Sequence, residues 1–287
     1  MNRIWRNTII NDTYEPGSTF KVITATAALD SGSVTLNNHY SCSGRIHVAD
    51  RFVRCANARG HGAQTFAQSL QNSCNPAFIT WGLMTGKDNM VKYMESLGLY
   101  SKTGVDLPGE AGSIIHKTEN IKELDLAIMS FGQSFQITPL QLLRAVSAVV
   151  NGGKLVTPHF GVKKIDTEGN ISVLEYEESG TIIKQSTTET MRGLLKNVVE
   201  LGGGLNCRIE GYSIAGKTAT SEKLPRGNGK YIASFIGIAP AENPQVIAMC
   251  IIDEPVGMHY GGVIAAPVVK SLFENILPYL GIEKGQM

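Results

Sequence analysis

The 287-residue sequence predicts an α+β fold built on an antiparallel β-sheet flanked by helices. Three observations carry that expectation. Strand-like apolar runs cluster in the last third of the chain, in SIAGKTAT, YIASFIGIAP and PQVIAMCIIDEP. Helical apolar spacing fills the part before them, and one more helical run, APVVKSLFENILPYLG, follows them. No internal repeat, low-complexity tract or break in composition divides the chain, so residues 1–287 read as one domain.

In chain order, Pro16 and Gly17 introduce STFKVITATAALDSG, whose helix formers run until Ser31 and Gly32. HYSCSGRIHVADRFVRCANARGHG alternates and turns, which predicts a hairpin or an ordered loop. TFAQSLQNSCNPAFITWGLMTG reads as helix, a break around Asn75-Pro76, then helix again. KDNMVKYMESLG, from Lys87 to Gly98, is amphipathic, and TGVDLPGEAGS is a loop. TPLQLLRAVSAVVNGG is an apolar helix closed by two glycines. TTETMRGLLKNVVELGGG is another, with Thr187 or Thr188 expected as its N-cap.

Composition removes some function classes. Charged residues are 18% and the net charge is +1, without the basic excess of a nucleic-acid binder, so no nucleic-acid partner is expected. No apolar run approaches the roughly 18 residues that span a bilayer, and no secretory signal opens the chain. MNRIWRNTIINDTYEPGS enters a motif almost at once, so the expectation is a domain from a longer, membrane-anchored protein. Five cysteines (Cys42, Cys55, Cys74, Cys207 and Cys250) are too few and too scattered for a disulfide scaffold. Cys250, within VIAMCII, and Cys207 read as packing residues.

Three short constellations can carry chemistry. Ser18 and Lys21 stand three apart at a helix start and share a face. A buried lysine there can lose its proton near neutral pH and accept one from the serine, while the Ser18 N–H faces a developing oxyanion. Against this stands an accidental surface pair. Ser73 and Asn75 sit at the helix break, where a turn aims both into one cavity; the plain alternative is a turn or cap, with Cys74 facing the core. In Lys217-Thr218-Ala219-Thr220, strand alternation sends Lys217 and Ala219 one way and Thr218 and Thr220 the other. Hydroxyls beside a cation suit a carboxylate; the plain alternative is a solvated strand end.

The order of the three is the set shared by penicillin-recognising serine enzymes. With YEPGSTFK (Tyr14 to Lys21), GHGAQTFAQSLQNSCNPAF (Gly60 to Phe78), GVDLPGE (Gly104 to Glu110), SFGQSFQITPLQ (Ser130 to Gln141) and GKTATSE, the chain resembles the transpeptidase domain of class B penicillin-binding proteins over nearly its whole length. It is most similar to sporulation-specific, SpoVD-like members. The resemblance implies the penicillin-binding, β-lactamase-like fold and a D,D-transpeptidase acting on D-Ala-D-Ala stem peptides and inhibited by β-lactams. It implies Ser18 as nucleophile and Lys21 as its base. Ser73 and Asn75 would shuttle a proton and hold the substrate amide, and Lys217 would support them electrostatically. Thr218 and Thr220 would receive the carboxylate, and the N–H groups of Ser18 and Thr220 the oxyanion. It further implies work at the outer face of the cell membrane, in spore cortex or septal wall synthesis, with a SEDS-type glycosyltransferase reached through regions outside this sequence. No cofactor is required for the chemistry. A literal Lys102-Thr103-Gly104 lies in a loop before SFGQ, with no apolar strand after it, and is set aside.

Ala219 stands where such enzymes carry glycine; its methyl is expected to narrow the pocket and slow bulky β-lactams. Two other functions remain open. A serine β-lactamase needs a group to activate a deacylating water, and no segment is assignable to one. A catalytically degenerate β-lactam-binding sensor or scaffold draws its weight from Ala219 alone.

Cys42, His47, Asp50, Cys55 and His61 crowd into twenty residues just before Ser73. Crowding of these types allows a structural Zn2+ on Cys42, Asp50, Cys55 and His61, with His47 as substitute. A Cys42–Cys55 disulfide and no site at all are the other two readings.

Overall fold

The computed structural model describes residues 5–285, and its central helix begins at a backbone break. After a short helix α1 (Thr8–Asn11), Gly17 takes φ +56°, a left-handed value that a Cβ disfavours. A Cβ there would also stand 1.9 Å from the Ser221 hydroxyl oxygen. One 3-10 turn, Gly17–Phe20, runs straight into α2 (Lys21–Asp30). Val22, Ile23, Ala25, Ala27 and Ala28 of α2 are all fully buried. A helix apolar on every side belongs inside a core, and later helices surround it.

The alternating segment forms two small antiparallel pairs. β1 (His39–Cys42) pairs with β4 (Gly62–Thr65), and the hairpin β2 (Arg45–Val48) with β3 (Arg51–Arg54) is inserted between them. Alternation turns Ile46, Val48 and Val53 inward and leaves Arg45, His47, Phe52 and Arg54 on the outer face. A capping box between Thr65 and Gln68 starts α3 (Phe66–Gln71). Three residues later α4 (Asn75–Thr85) begins, with Pro76 in its first turn, where a missing N–H costs nothing.

Helices α5 (Lys87–Ser96), α6 (Glu123–Met129) and α7 (Pro139–Val150) complete the helical side. β5 (Lys154–Val156) pairs with β8 (Glu178–Thr181), and a hairpin of β6 (Lys163–Ile165) and β7 (Ile171–Val173) projects between them. Helix α8 (Gln185–Leu201) starts earlier than expected, with Lys184 rather than Thr187 or Thr188 at its N-cap position. A tertiary contact overrides the local signal: Lys184 N donates to Asp30 Oδ1 at 2.9 Å and its ammonium to the Asp30 carbonyl at 2.6 Å. Both threonines are therefore buried inside the first turn.

The three late strands form one antiparallel sheet, β9 (Ala215–Glu222), β10 (Tyr231–Ala239) and β11 (Val246–Asp253), in the order β11-β10-β9. Period-two alternation splits β10 between two cores. Ile236 and Ile238 join the core around α2 and α8, whereas Phe235 and Ala239 face α10 (Ala266–Tyr279), which follows α9 (Gly261–Ile264). Gly237 allows close approach there, since a Cβ would stand 2.7 Å from Val269 Cγ1. The sheet thus lies between helical layers, the expected α+β architecture, and β9 keeps one free edge beside the Ser18 turn. Among the described residues no helix is long and apolar enough to cross a membrane.

Candidate active site

The Ser18 turn presents its hydroxyl next to the first residue of α2. Lys21 is fully buried, and its Nζ stands 3.1 Å from Ser18 Oγ. The same nitrogen lies 2.6 Å from the Ser73 carbonyl, 3.2 Å from Ser73 Oγ and 2.7 Å from Asn75 Oδ1. Burial pushes the Lys21 ammonium down to about 7, against smaller opposing electrostatic pulls from the neighbouring Cys74 and Cys55. Lys217 is 1% exposed and donates to Ser73 Oγ at 3.0 Å and to the Thr218 carbonyl at 3.0 Å. Burial first, then the charge of Lys21, hold it well below an ordinary lysine. Ser18, Lys21, Ser73 and Lys217 therefore form one unbroken polar chain, and two adjacent buried amines in it resist being charged together.

Ser73 reaches that position through an unusual backbone. Its φ is +52°, a left-handed value that costs a non-glycine residue on the order of 1 kcal/mol or more. Surrounding bonds hold it: Ser73 N to the Leu70 carbonyl, Cys74 N to the Ser69 carbonyl, and the short Lys21 contact. Behind Ser18, Gly132 of SFGQ accepts from Gly17 N at 2.8 Å, and a Gly132 Cβ would collide with the Gly17 carbonyl at 2.0 Å. Thr24 Oγ1 donates to the Ser130 carbonyl at 2.8 Å. The SFGQ turn is thus a brace under the Ser18 turn, a role that its sequence alone did not reveal.

The free edge of β9 forms the opposite wall. Lys223 N donates to the Lys230 carbonyl, which marks that pair as hydrogen-bonded. In antiparallel pairing such residues alternate, so Lys217, Ala219 and Ser221 bond toward β10. Thr218 and Thr220 therefore turn their N–H and C=O groups out of the sheet, and Lys217 Nζ already caps the Thr218 carbonyl. Their side chains lie on the face away from Lys217, as the alternation predicts; Thr220 Oγ1 accepts from Gly261 N at 3.1 Å.

Ala219 departs from the sequence expectation. It is 3% exposed, and its Cβ lies 3.8 Å from where a Gly17 Cβ would stand, so its methyl backs the Ser18 turn instead of projecting into open cleft. Ala219→Gly is expected to lower stability by about 1 kcal/mol through strand entropy and a small void. It should alter acylation by bulky and by small β-lactams in equal proportion. Paired acylation rates check this; a selective gain for bulky compounds would restore a pocket-narrowing methyl.

A second cluster abuts the Ser73 segment. The ligand atoms of Cys42, Cys55, His61 and Cys74 all lie within 4.8 Å of one another. Cys55 Sγ is 3.9 Å from Cys74 Sγ and 3.5 Å from His61 Nδ1. A tetrahedral zinc with Zn–S bonds of about 2.3 Å sets sulfurs roughly 3.8 Å apart, so the donor set fits that ion. Four expectations need correction. Asp50 is exposed at the β2–β3 turn, outside this group, because the hairpin carries its tip away while Cys55 N bonds to the Gly44 carbonyl at the base. Cys74, expected to serve only as core, takes that place. His47 packs at a tilt against Phe52, with ring centroids 4.8 Å apart, and is not a substitute ligand. All five cysteines are free thiols, so the Cys42–Cys55 disulfide is not formed. A hydrogen bond from Cys74 holds the Cys55 thiol low, and the same bond, with burial, holds Cys74 high.

The second Lys-Thr-Gly behaves as expected of a loop. Thr103 N and Oγ1 both donate to Glu110 Oε1, at 2.7 and 2.6 Å, which folds the 103–110 loop back on itself. Glu15 is another contributor that the motifs did not announce. It accepts from Ser134 N at 2.8 Å and pairs with Arg226, tying the Ser18 approach to the β9–β10 connection.

Comparison with known proteins converges on one description. The family profile described as "Penicillin binding protein transpeptidase domain" matches residues 1–274. Stage V sporulation protein D of Bacillus subtilis (strain 168) is 39% identical over 285 residues, covering 97% of this chain and 44% of that protein. Peptidoglycan D,D-transpeptidase FtsI of Escherichia coli (strain K12) is 29% identical over 283 residues, covering 97% and 46%. The chain thus spans less than half the length of these two relatives. The apo transpeptidase domain of Burkholderia pseudomallei penicillin-binding protein 3 superposes with a TM-score of 0.86 at 27% identity, covering 99% of this chain and 85% of that one.

Proposed function

The chain belongs to the penicillin-binding protein transpeptidase family, with its relatives among the class B members, and we propose that it cross-links peptidoglycan as a serine D,D-transpeptidase. The observation that carries this reading is the buried Lys21 amine, 3.1 Å from Ser18 Oγ and lowered to about 7. A neutral amine at that place takes the serine proton as Oγ attacks the carbonyl carbon of a D-Ala-D-Ala stem peptide. The outward N–H of Thr220 and the N–H of Ser18 receive the oxyanion. The proton passes through Ser73 to the departing D-alanine amine, and an amine of a neighbouring strand then displaces Ser18. Thr218 and Thr220 hold the terminal carboxylate, and Asn75 holds the substrate amide. A β-lactam enters the same path and stays as the acyl-enzyme, because its leaving group remains attached. Ala219 backs this turn and leaves the chain of donors complete, which favours an active enzyme over a degenerate sensor. Against a β-lactamase, no group beside Ser18 is assigned to deacylation.

The kinship with a stage V sporulation protein supports work in the spore cortex, outside the cytoplasmic membrane, beside a glycosyltransferase of the SEDS type. Cys42, Cys55, His61 and Cys74 would hold a structural Zn2+ that fixes the segment entering Ser73; it takes no part in the serine chemistry.

Intact-mass detection of one benzylpenicilloyl adduct per chain, mapped to Ser18, tests the function. Rapid turnover of nitrocefin would replace it with β-lactamase activity. The pH dependence follows from Lys21. Below about pH 7 the amine is protonated and cannot take the serine proton. Acylation is therefore expected to climb roughly tenfold per pH unit up to about 7 and level off above it. A rate independent of pH from 5.5 to 8 would remove Lys21 as the base.

A further inference from the structure

The stretch LGGGLNCR, Leu201 to Arg208, leads from the end of α8 toward the strand that carries Lys217. Three glycines in a row have no side chains to pack, so the segment takes its shape from anchors at its two ends. At the first end, Gln71 closes the helix that leads to Ser73, and its Nε2 donates to the Leu201 carbonyl at 2.9 Å. At the second end stands a 3-10 turn, Leu205–Cys207, in which Cys207 N donates to the Gly204 carbonyl at 2.8 Å. Cys207 is fully buried and joins the core of Val199, Ile209 and Phe273. With Cys207 turned inward, Asn206 is left on the outside. Its Nδ2 donates to the Gly262 carbonyl of α9 at 2.8 Å.

That bond closes a frame around the two threonines of β9. A Cβ on Gly203 would stand 3.3 Å from Thr218 Oγ1, and one on Gly262 would stand 3.3 Å from Thr218 Cγ2. The two glycines also meet each other, since a Gly262 Cβ would lie 2.3 Å from the Gly203 carbonyl oxygen. Two bare backbones in contact have no side chains to lock them, and the Asn206 amide supplies the lock. Gly261 lies flat on the sheet, where a Cβ would stand 2.3 Å from both the Ala219 and the Ser234 carbonyl oxygens. Its N–H donates to Thr220 Oγ1 at 3.1 Å. A hydroxyl has one proton and two lone pairs. With one lone pair taken by Gly261, the proton of the half-buried Thr220 turns away from that donor and is left to serve an acceptor in the cleft.

We infer that Asn206 is a positioning residue for the substrate carboxylate: by holding Gly262 it fixes the Gly261 N–H that aims the Thr220 hydroxyl proton. The inference rests on the acyl-transfer reading above and on its use of Thr218 and Thr220 for the terminal carboxylate. Asn206 touches no reacting atom and acts only through the Gly261–Gly262 turn. Its loss leaves Ser18, Lys21, Ser73 and Lys217 as they are and loosens one hydroxyl. The cost therefore falls on ligands that present a carboxylate there and spares those that do not.

Stopped-flow acylation by benzylpenicillin and by its methyl ester, in which the carboxylate is masked, tests this in wild type, Asn206→Leu, Thr220→Val and the double variant. Leucine keeps the size of Asn206 without its amide, and valine keeps the shape of Thr220 without its hydroxyl. Asn206→Leu is expected to slow acylation by the free acid about fivefold, the scale of one lost hydrogen bond. The loss should fall in the affinity of the pre-covalent complex, with the maximal acylation rate within about twofold of wild type, because the carboxylate is held alike before and during attack. The ester should react alike with wild type and Asn206→Leu. In the Thr220→Val background the Asn206 change should cost less than about twofold, since the group it positions is already gone. An equal loss for acid and ester, an undiminished loss on top of Thr220→Val, or no loss at all overturns the positioning role. Labelling of wild type by benzylpenicillin in the same preparation separates the two levels. A chain that labels yet lacks this pattern loses only the role of Asn206, whereas a chain that never labels loses the acyl-transfer reading and the positioning role with it.

Discussion

Ser18→Ala is expected to abolish covalent labelling by benzylpenicillin, and Lys21→Arg to slow it by about 10⁴-fold, the scale seen when one member of a cooperating nucleophile–base unit is lost. The first removes the half-buried hydroxyl that stands 3.1 Å from the Lys21 amine on the otherwise buried Gly17–Phe20 turn. The second is the more instructive variant. Arginine preserves the ability to donate to the Ser73 carbonyl and Asn75 Oδ1, but a guanidinium does not give up its proton at any relevant pH. A base is therefore removed while the donors are kept. Stopped-flow acylation, with melting temperature as the check on folding, measures both. Labelling that survives Ser18→Ala, or a rate for Lys21→Arg within tenfold of wild type in a folded protein, would falsify the assignment of nucleophile and base.

Removal of the proposed Zn2+ is expected to lower the melting temperature by about 10 °C and to slow acylation in parallel. Three thiols and an imidazole on separate stretches of chain, Cys42, Cys55 with His61, and Cys74, converge within 4.8 Å of one another, so an ion held by all four would clamp those stretches together. The binding energy of such an ion would be folding energy for residues 42–74. If about 5 kcal/mol of it appears in global stability, a domain of this size shifts by roughly 2 °C for each. Acylation follows because Cys74 lies between Ser73 and Asn75, and slack there loosens both from Lys21. Elemental analysis should find about one zinc per chain. Cys74→Ser should lose it and Asp50→Ala should keep it, which separates the structural ligand set from the one that sequence crowding suggested. A protein without metal, whose melting and acylation ignore a chelator, would leave the cluster as three packed thiols.

The readable and the unreadable parts of this site differ in range. Ser18 and Lys21 were legible because three residues of helix bring their side chains to one face. Lys217 and the two threonines were legible because a strand alternates. The helical break before Asn75 was legible from Pro76, and the central sheet from three late apolar runs. Each is a local rule acting over a few residues.

Position across the chain is another matter. Ser73 in a left-handed backbone has no spelling in the sequence; it follows from bonds to Ser69, Leu70 and Lys21. The start of α8 moved because Asp30, far away in the chain, captured Lys184. Ala219 looked like a pocket residue from its motif, but packing turned its methyl toward Gly17. Cys74 looked like a core residue because it stands between Ser73 and Asn75, yet the β1–β4 pairing and the hairpin base bring Cys42 and Cys55 to it and leave Asp50 outside. The sequence by itself determined the fold class, the pairing of Ser18 with Lys21 and the strand that faces them, since those depend on helix and strand periodicity. Only the tertiary structure decided which donors converge beside Ser73 and what lies behind Ala219, because such contacts depend on how distant segments pack, and no local spacing records that.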